Sequence, residues 1–386
     1  MYSIRLSRNI QWNYIFAYGI LLFSFSTAVI SLIREAAQGG GGFRFGEWLI
    51  NYGDGFIRRG LFGEIFLTLT PSGSISIWIL CTVLIFSYFL VLVYILFLLH
   101  KNDFNWHGIA LACSPAALPF IGWDSAAFAR KEVLGFILLV YLAIIRTKGR
   151  REVFWPKLLG LLFFALAVLS SEVNAVMLPG VIYLLREKNK KNFNPQMRLL
   201  GALALVIATV GVALSKLNSG SLNKAQLVCE KIRDHDLKSI ELCSGSISYL
   251  AFTTKDAIEM VLFNFPSYLG YLPLLLLSSL PIVTTRWFRN NSRFALTCLL
   301  VSLPLYIVGA DYGRWIFILI LQLTICCLSD FQDDKQSNAW TPMSCGLYVG
   351  LWGLPHYGFA WPMSMYGLLP SFLHAGDSLA KLITGI

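Results

Sequence analysis

The sequence predicts an all-α, polytopic membrane protein of about eleven spans, and three observations predict it. The chain is 56% hydrophobic and 13% charged, with mean hydropathy +0.64, where soluble domains carry about 25% charged residues. Apolar runs near the ~20 residues that a crossing helix needs recur along its length. The charges also segregate. In the topology below, one side collects 17 Lys and Arg against 6 Asp and Glu and the other 14 against 15, which together make the 31 and 21 of the whole chain. That is the bias of cytoplasmic loops. It accounts for the net charge of +10 without nucleic acid as a partner.

The first span is 13–33, behind a basic head (Arg5, Arg8) with no small-residue cleavage site, so it reads as a retained span with a cytoplasmic N-terminus. A long outer loop, 34–75, follows, with Gly39–Gly42 as a flexible joint and an amphipathic stretch, Phe56 to Leu69, suited to lying on the membrane surface. The second span is 76–99. A hairpin of short helices, 107–122 and 133–145, carries WDSAAFARKE at its tip. The stretch 157–185 is either one helix or a second hairpin with Glu172 at its tip. Both flanks are basic, and a single crossing would export one of them, so charge favours the hairpin. The seventh span is 197–215, and a polar outer loop, 216–257, leads to an eighth, 266–285, interrupted by Pro273 and Pro281. A third hairpin, 294–310 and 314–328, carries DYGRW, and a last span covers 343–360. No internal repeat and no separate soluble domain stand out, so residues 1–386 form one integral membrane domain.

Eight cysteines are present, six of them within apolar runs where they serve as small hydrophobes. Cys229 and Cys243 share the long polar loop. They are either a disulfide, which requires an oxidising compartment, or two free thiols.

Ionisable residues at membrane depth are costly and mark function, and here they gather on the outer side. In GDGFIRRG, Asp54 lies between glycines that let the backbone approach a ligand, and Arg58 and Arg59 carry planar forks for phosphate. The plainer alternative gives the arginines lipid headgroups and Asp54 a turn. At the second tip, Asp124 precedes Arg130, Lys131 and Glu132. These can orient and neutralise a leaving group, or form an ion-paired tip. Glu172, alone between apolar helices, has the setting of a carboxyl with raised proton affinity, suited to acid–base work, or is a wetted loop acid. Asp311 and Arg314 share a helix face, beside Gly313, which gives space, and Trp315, a flat surface for a sugar or a membrane anchor. His356 is a proton carrier or a structural histidine. The other histidines, His100, His107, His235 and His374, read as interfacial or exposed. No HExxH, CxxC, Walker loop or dinucleotide-type GxGxxG occurs in suitable context. This disfavours an ATPase, a metalloprotease or a zinc site.

With these motifs in place, the chain resembles the GT-C class of membrane glycosyltransferases, in which the donor sugar rides on a polyprenyl phosphate and an acid of the first outer loop acts as base or metal ligand. Asp54 is the matching position. The set GDGFIRRG, ARKE, an acid between short paired helices and DYGRW also resembles membrane proteins of bacterial polysaccharide loci, including Wzy-like O-antigen and capsule polymerases. The resemblance implies glycosyl transfer or polymerisation on polyprenyl-(pyro)phosphate-linked glycans at the outer face of the inner membrane. It gives Asp54 the role of base and Arg58, Arg59, Arg130 and Arg314 the phosphate. With the residue chemistry above, the expected site is catalytic at Asp54, Glu172 and Asp311, with substrate contact from Arg58, Arg59, Asp124, Arg130, Lys131, Arg314, Trp315 and His356. Membrane lipids and other polysaccharide-assembly proteins are the implied partners. The first loop departs from the GT-C pattern in lacking a DxD pair, so neither a metal nor another cofactor is expected. A flippase for a lipid-linked sugar is the alternative, without a base and usually with two related halves. A structural subunit of a membrane complex is a third.

Overall fold

The structure, a computed structural model, describes residues 8–53, 55–147, 154–186, 195–237, 239–330 and 340–356. Among them there is no strand. The first two long helices are α1 (Arg8–Ala37) and α4 (Ser74–Lys101), and the loop between them carries α2 (Phe45–Leu49) and α3 (Gly60–Leu69). Next come α5 (Trp106–Ala112), α6 (Phe120–Trp123) and α7 (Glu132–Thr147), then α8 (Phe154–Ser170) and α9 (Leu178–Leu185). The second half holds α10 (Pro195–Leu217), α11 (Leu222–Asp234), α12 (Thr254–Phe263) and α13 (Phe265–Val283). It ends with α14 (Arg286–Val308), α15 (Tyr312–Ser329) and α16 (Pro342–Gly350). Five of these, α1, α4, α10, α14 and α15, are long and apolar enough to cross a membrane.

A helix that is apolar on every side belongs at the centre of a bundle. α15 is that helix: every residue from Tyr312 to Ser329 is buried, beneath α14, α7, α13, α4 and α9. α10 and α14 lie at the periphery and turn Leu205, Val206, Val210, Leu296, Leu300 and Ile307 outward, as helices facing lipid do.

The stretch 157–185 is a hairpin. Buried Lys157, on the first turn of α8, donates to the Leu185 carbonyl at the end of α9 at 2.7 Å. A continuous helix would separate these ends by about 40 Å. A tight turn, Glu172–Met177, reverses the chain.

Two expectations change. The glycine run is a cap rather than a flexible joint. Gly39 and Gly40 take φ of 92° and 90° and donate to the Ala36 and Glu35 carbonyls at 3.0 and 2.9 Å, closing α1 in a conformation that costs glycine least. A Cβ on Gly42 would strike the Ser244 and Glu241 carbonyls, so the loop 239–250 packs directly on it. His107 is buried rather than interfacial, with Nε2 2.7 Å from the Pro281 carbonyl. α13 carries Pro273 and Pro281 within it.

α3 rests on α2 and α8 through Gly63, Phe66 and Leu67, while Ile65 and Leu69 are exposed. Of the apolar stripe expected on one side, Phe56, Ile65 and Leu69 are turned away from the protein, where a membrane surface would meet them, whereas Leu61 is half-buried and Ile57 is buried in the core. Cys229 on α11 and Cys243 at the end of the turn Ile240–Cys243 form a disulfide, and the six other cysteines are buried and free. Alkylation of the denatured protein should therefore modify six thiols before reduction and eight after it. Eight before reduction contradicts the disulfide.

At the end of the bundle opposite the charged tips, Asp330 caps α15 and pairs with Arg146 at 2.8 Å. It also accepts from the Tyr183 hydroxyl at 2.6 Å, which accepts from Trp287 Nε1 at 2.8 Å. Arg146 stacks over Tyr183 at 4.4 Å. One node thus ties α7, α9, α14 and α15. Asp330→Asn leaves a buried guanidinium without its counter-charge, at a cost of about 3 kcal/mol. It should lower the thermal midpoint in detergent; an unchanged midpoint contradicts the node.

Candidate functional site

At the other end, the loops bring the sequence-predicted charges other than Asp54 into one cluster. Its hub is Glu47, on α2, with 0% exposure. Five-residue α2 is held down by Trp48, whose indole donates to the Ala129 carbonyl at 2.6 Å and meets Phe62 edge-on. Glu47 lies 2.8 Å from Arg130 Nε and 3.9 Å from Arg314 Nη2. Arg314 also pairs with Glu132, and with Asp311 at 3.1 Å. His356 stands between two acids, with Nδ1 3.4 Å from Asp124 and Nε2 3.9 Å from Asp311. Its backbone N–H donates to Asp124 at 3.0 Å.

Gly313 makes this last junction possible. Its N–H donates to the His356 carbonyl at 3.2 Å, and a Cβ there would strike the Pro355 carbonyl. The space expected beside Asp311 is filled by the protein's own chain, which delivers the imidazole.

The second arm is Arg59 with Glu172. Arg59 donates through Nε to both Glu172 oxygens at 3.0 and 3.1 Å, and through Nη2 at 2.6 Å. Lys131 Nζ donates to the Arg59 carbonyl at 2.7 Å and lies 5.9 Å over the Trp48 ring, which joins the two arms. Arg58, half-buried, donates to the Tyr249 carbonyl at 3.3 Å.

These contacts revise several roles. Arg130 and Arg314 are sealed under carboxylates, and Lys131 is wholly buried, so none presents its charge to a phosphate. They set the potential instead. Trp315 is buried, donating to the Gly309 carbonyl at 3.2 Å beneath Arg314, and offers no face to a sugar. Glu172 is gripped by a guanidinium that favours its ionised form, which is not the setting of a carboxyl seeking a proton. Asp54 lies outside the described residues. The groups of the cluster open to water are Asp311, whose side chain is 34% exposed, Arg59 at 23%, half-buried Arg58, and the edges of Glu172, Asp124 and His356.

Burial alone would raise the proton affinity of Glu47, but Arg130 and Arg314, then Arg59 and Lys131, outweigh it and hold the carboxyl below its usual range. Burial pushes Lys131 down to about 7 against the pull of Glu47. For Asp311 burial again raises the value, and the His356 contact and Arg314 charge more than reverse it. Among the described residues no cluster has metal-ligand character.

Glu47 was not singled out from sequence. The signal was faint: one acid three residues after Arg44 in the otherwise apolar FRFGEWLI, on a run too short to show a period.

A family model of uncharacterised membrane proteins, Rv1490, matches residues 14–260, well over half of the chain. The chain belongs to this membrane protein family. The matched region holds Glu47, both loop arginines, Asp124 to Glu132, Glu172 and the disulfide, and ends before Asp311, Arg314 and His356. No curated protein and no solved structure matches the chain.

Glu47→Gln leaves Arg130 buried with an uncompensated charge and should cost about 3–5 kcal/mol at pH 7. Because the folded carboxyl holds its proton less tightly than the unfolded one, the wild-type advantage is full above about pH 4 and is lost as pH falls through the folded value. Thermal midpoints of wild type and variant should therefore converge below about pH 4; a gap that widens in acid contradicts the assignment.

Proposed function

We propose that this chain transfers a glycosyl group from a polyprenyl-(pyro)phosphate donor to a glycan acceptor at the outer face of a bacterial inner membrane, as a polymerase or single-sugar transferase of O-antigen or capsule assembly. The observation that carries the reading is the water-open edge of an otherwise sealed ionic cluster, where Asp311, His356 and Asp124 meet. Two supports orient it. The disulfide lies in a loop packed at the charged end and suits an oxidising compartment, and in the topology read from the sequence the Lys and Arg excess belongs to the other side. That topology has a cytoplasmic N-terminus and about eleven passages, the shorter helices crossing within the bundle.

The reaction needs a proton acceptor for the attacking hydroxyl and a cation for the leaving phosphate. The acceptor oxygen bonds the anomeric carbon, the bond from that carbon to the phosphate oxygen breaks, and the hydroxyl proton passes to the His356 imidazole, which Asp311 and Asp124 orient and whose positive charge they then neutralise. Arg314, held by Glu132 and Glu47, fixes the orientation of Asp311. Arg59, anchored through Nε and one terminal nitrogen, keeps its other terminal nitrogen for the lipid-linked phosphate beside Arg58. The reading invokes no metal or other cofactor.

Asp311→Asn and His356→Gln should each slow glycan extension by purified protein at least a hundredfold, in line with loss of a general base at about 10²–10⁴. Thermal midpoints should stay within two or three degrees of wild type. Full transfer by either variant at normal protein levels contradicts the proposed base, the His356 imidazole set by Asp311.

A further inference from the structure

The last three turns of α1, and Gln38 just past its end, carry polar residues on one face of a helix long enough to cross a membrane. Thr27, Ser31, Arg34, Glu35 and Gln38 follow the spacing that places side chains in one stripe. A polar stripe on a crossing helix needs protein or water beside it rather than lipid. Here it lines a groove of about 660 Å³, closed on the other side by Gly41, Arg44 and Glu241. That volume lies in the usual range for small-molecule sites, about 300–1,000 Å³.

The groove has a fixed floor and unengaged walls. Arg44 is buried, paired with Glu35, and donates to the Ser31 hydroxyl at 3.2 Å. A Cβ on Gly41 would collide with the Glu35 carboxylate, so glycine there is the condition for this pair. Arg44 Nη1 also donates to the Ser125 carbonyl at 3.2 Å. Ser125 follows Asp124, the partner of His356, so the floor abuts the reactive edge. Arg34, Gln38 and Glu241 are exposed, and among the described residues their side chains make no hydrogen bond or ion pair.

The donor set selects a ligand class. Two arginines face two glutamates, so the formal charge of the lining is zero and an anion gains nothing from entering. A guanidinium, an amide and a carboxylate together supply both donors and acceptors in planar pairs, which suits the vicinal hydroxyls of a neutral sugar. We infer that this groove binds hydroxyl-rich residues of the glycan and presents them to the edge at Asp124, His356 and Asp311. The assignment rests on the glycosyl-transfer reading for its purpose, but binding is separable from turnover.

The test is equilibrium binding of neutral oligosaccharides, released by mild acid from the lipid-linked glycans of the producing cells, to purified protein in nanodiscs. Wild type should bind saturably. Arg34→Ala, Gln38→Ala and Glu241→Ala should each weaken binding about tenfold, the size expected for loss of one or two hydrogen bonds to a charged or polar group. In the transfer assay the same variants should raise KM with kcat within about twofold, the mark of lost ground-state binding. Asp311→Asn should bind as wild type does. No saturable binding by wild type, or equal binding by all three groove variants, overturns the site. Weakened binding in those variants beside full transfer by Asp311→Asn leaves the groove standing and removes the proposed base instead.

Discussion

The structure at the charged end depends on one buried carboxylate. Glu47 has no exposure and neutralises Arg130 at 2.8 Å and Arg314 at 3.9 Å. Moving a guanidinium out of water costs several kcal/mol unless a counter-charge is held close. Without Glu47, both arginines would be expelled or would drag Glu132 and Asp311 into other pairings. Everything else at this end follows from keeping that acid in place. Trp48 and Phe62 clamp the short helix that carries it. The glycine cap of α1 turns the chain into it, and the disulfide-linked loop covers it from above through the contact of Ser246 with the Phe43 carbonyl at 3.2 Å, a carbonyl Arg130 also uses.

The division of labour differs from the one that charge alone suggests. In a sequence, five cations near outer loops look like a phosphate clamp. In the structure, acids consume most of them. Arg130, Lys131 and Arg314 are structural electrostatics, and only the loop pair Arg58 and Arg59 keeps a solvent edge. The residue that gains most is His356. It is brought to Asp124 and Asp311 by a segment that leans on Gly313, and two carboxylates around one imidazole form a path for a proton.

Much of this was legible in the sequence, for physical reasons. Hydropathy located the five long helices, while the expected helix 107–122 is two short ones, Trp106–Ala112 and Phe120–Trp123, and the expected span 343–360 is helical only to Gly350 among the described residues. The basic flanks of 157–185 resolved a hairpin that length left ambiguous. The Lys157 contact with Leu185 bears that out. The three-residue spacing of Asp311 and Arg314 foretold their contact at 3.1 Å because one helix face holds both. What was not legible is pairing over long separations. Nothing local joins Arg59 to Glu172 or Glu47 to Arg130, so the sequence shows ionisable groups without showing which neutralise one another. Trp315 was misread for the same reason, since a tryptophan that stacks on sugar and one that packs under an arginine have identical neighbours in sequence. Glu47 was hidden by its surroundings, a five-residue helix too short for any periodic signal.

The central claim is that Glu47 holds the cluster together through its cations. A double-mutant cycle between Glu47→Gln and Arg130→Met, read as unfolding free energies of the detergent-solubilised protein, addresses it most directly. Groups in one buried network couple by about 0.5–3 kcal/mol, so the account predicts a coupling above about 1.5 kcal/mol, with the double variant more stable than the sum of the single losses allows. Losses that add within about 0.5 kcal/mol would mean that the two residues act independently, and would contradict it.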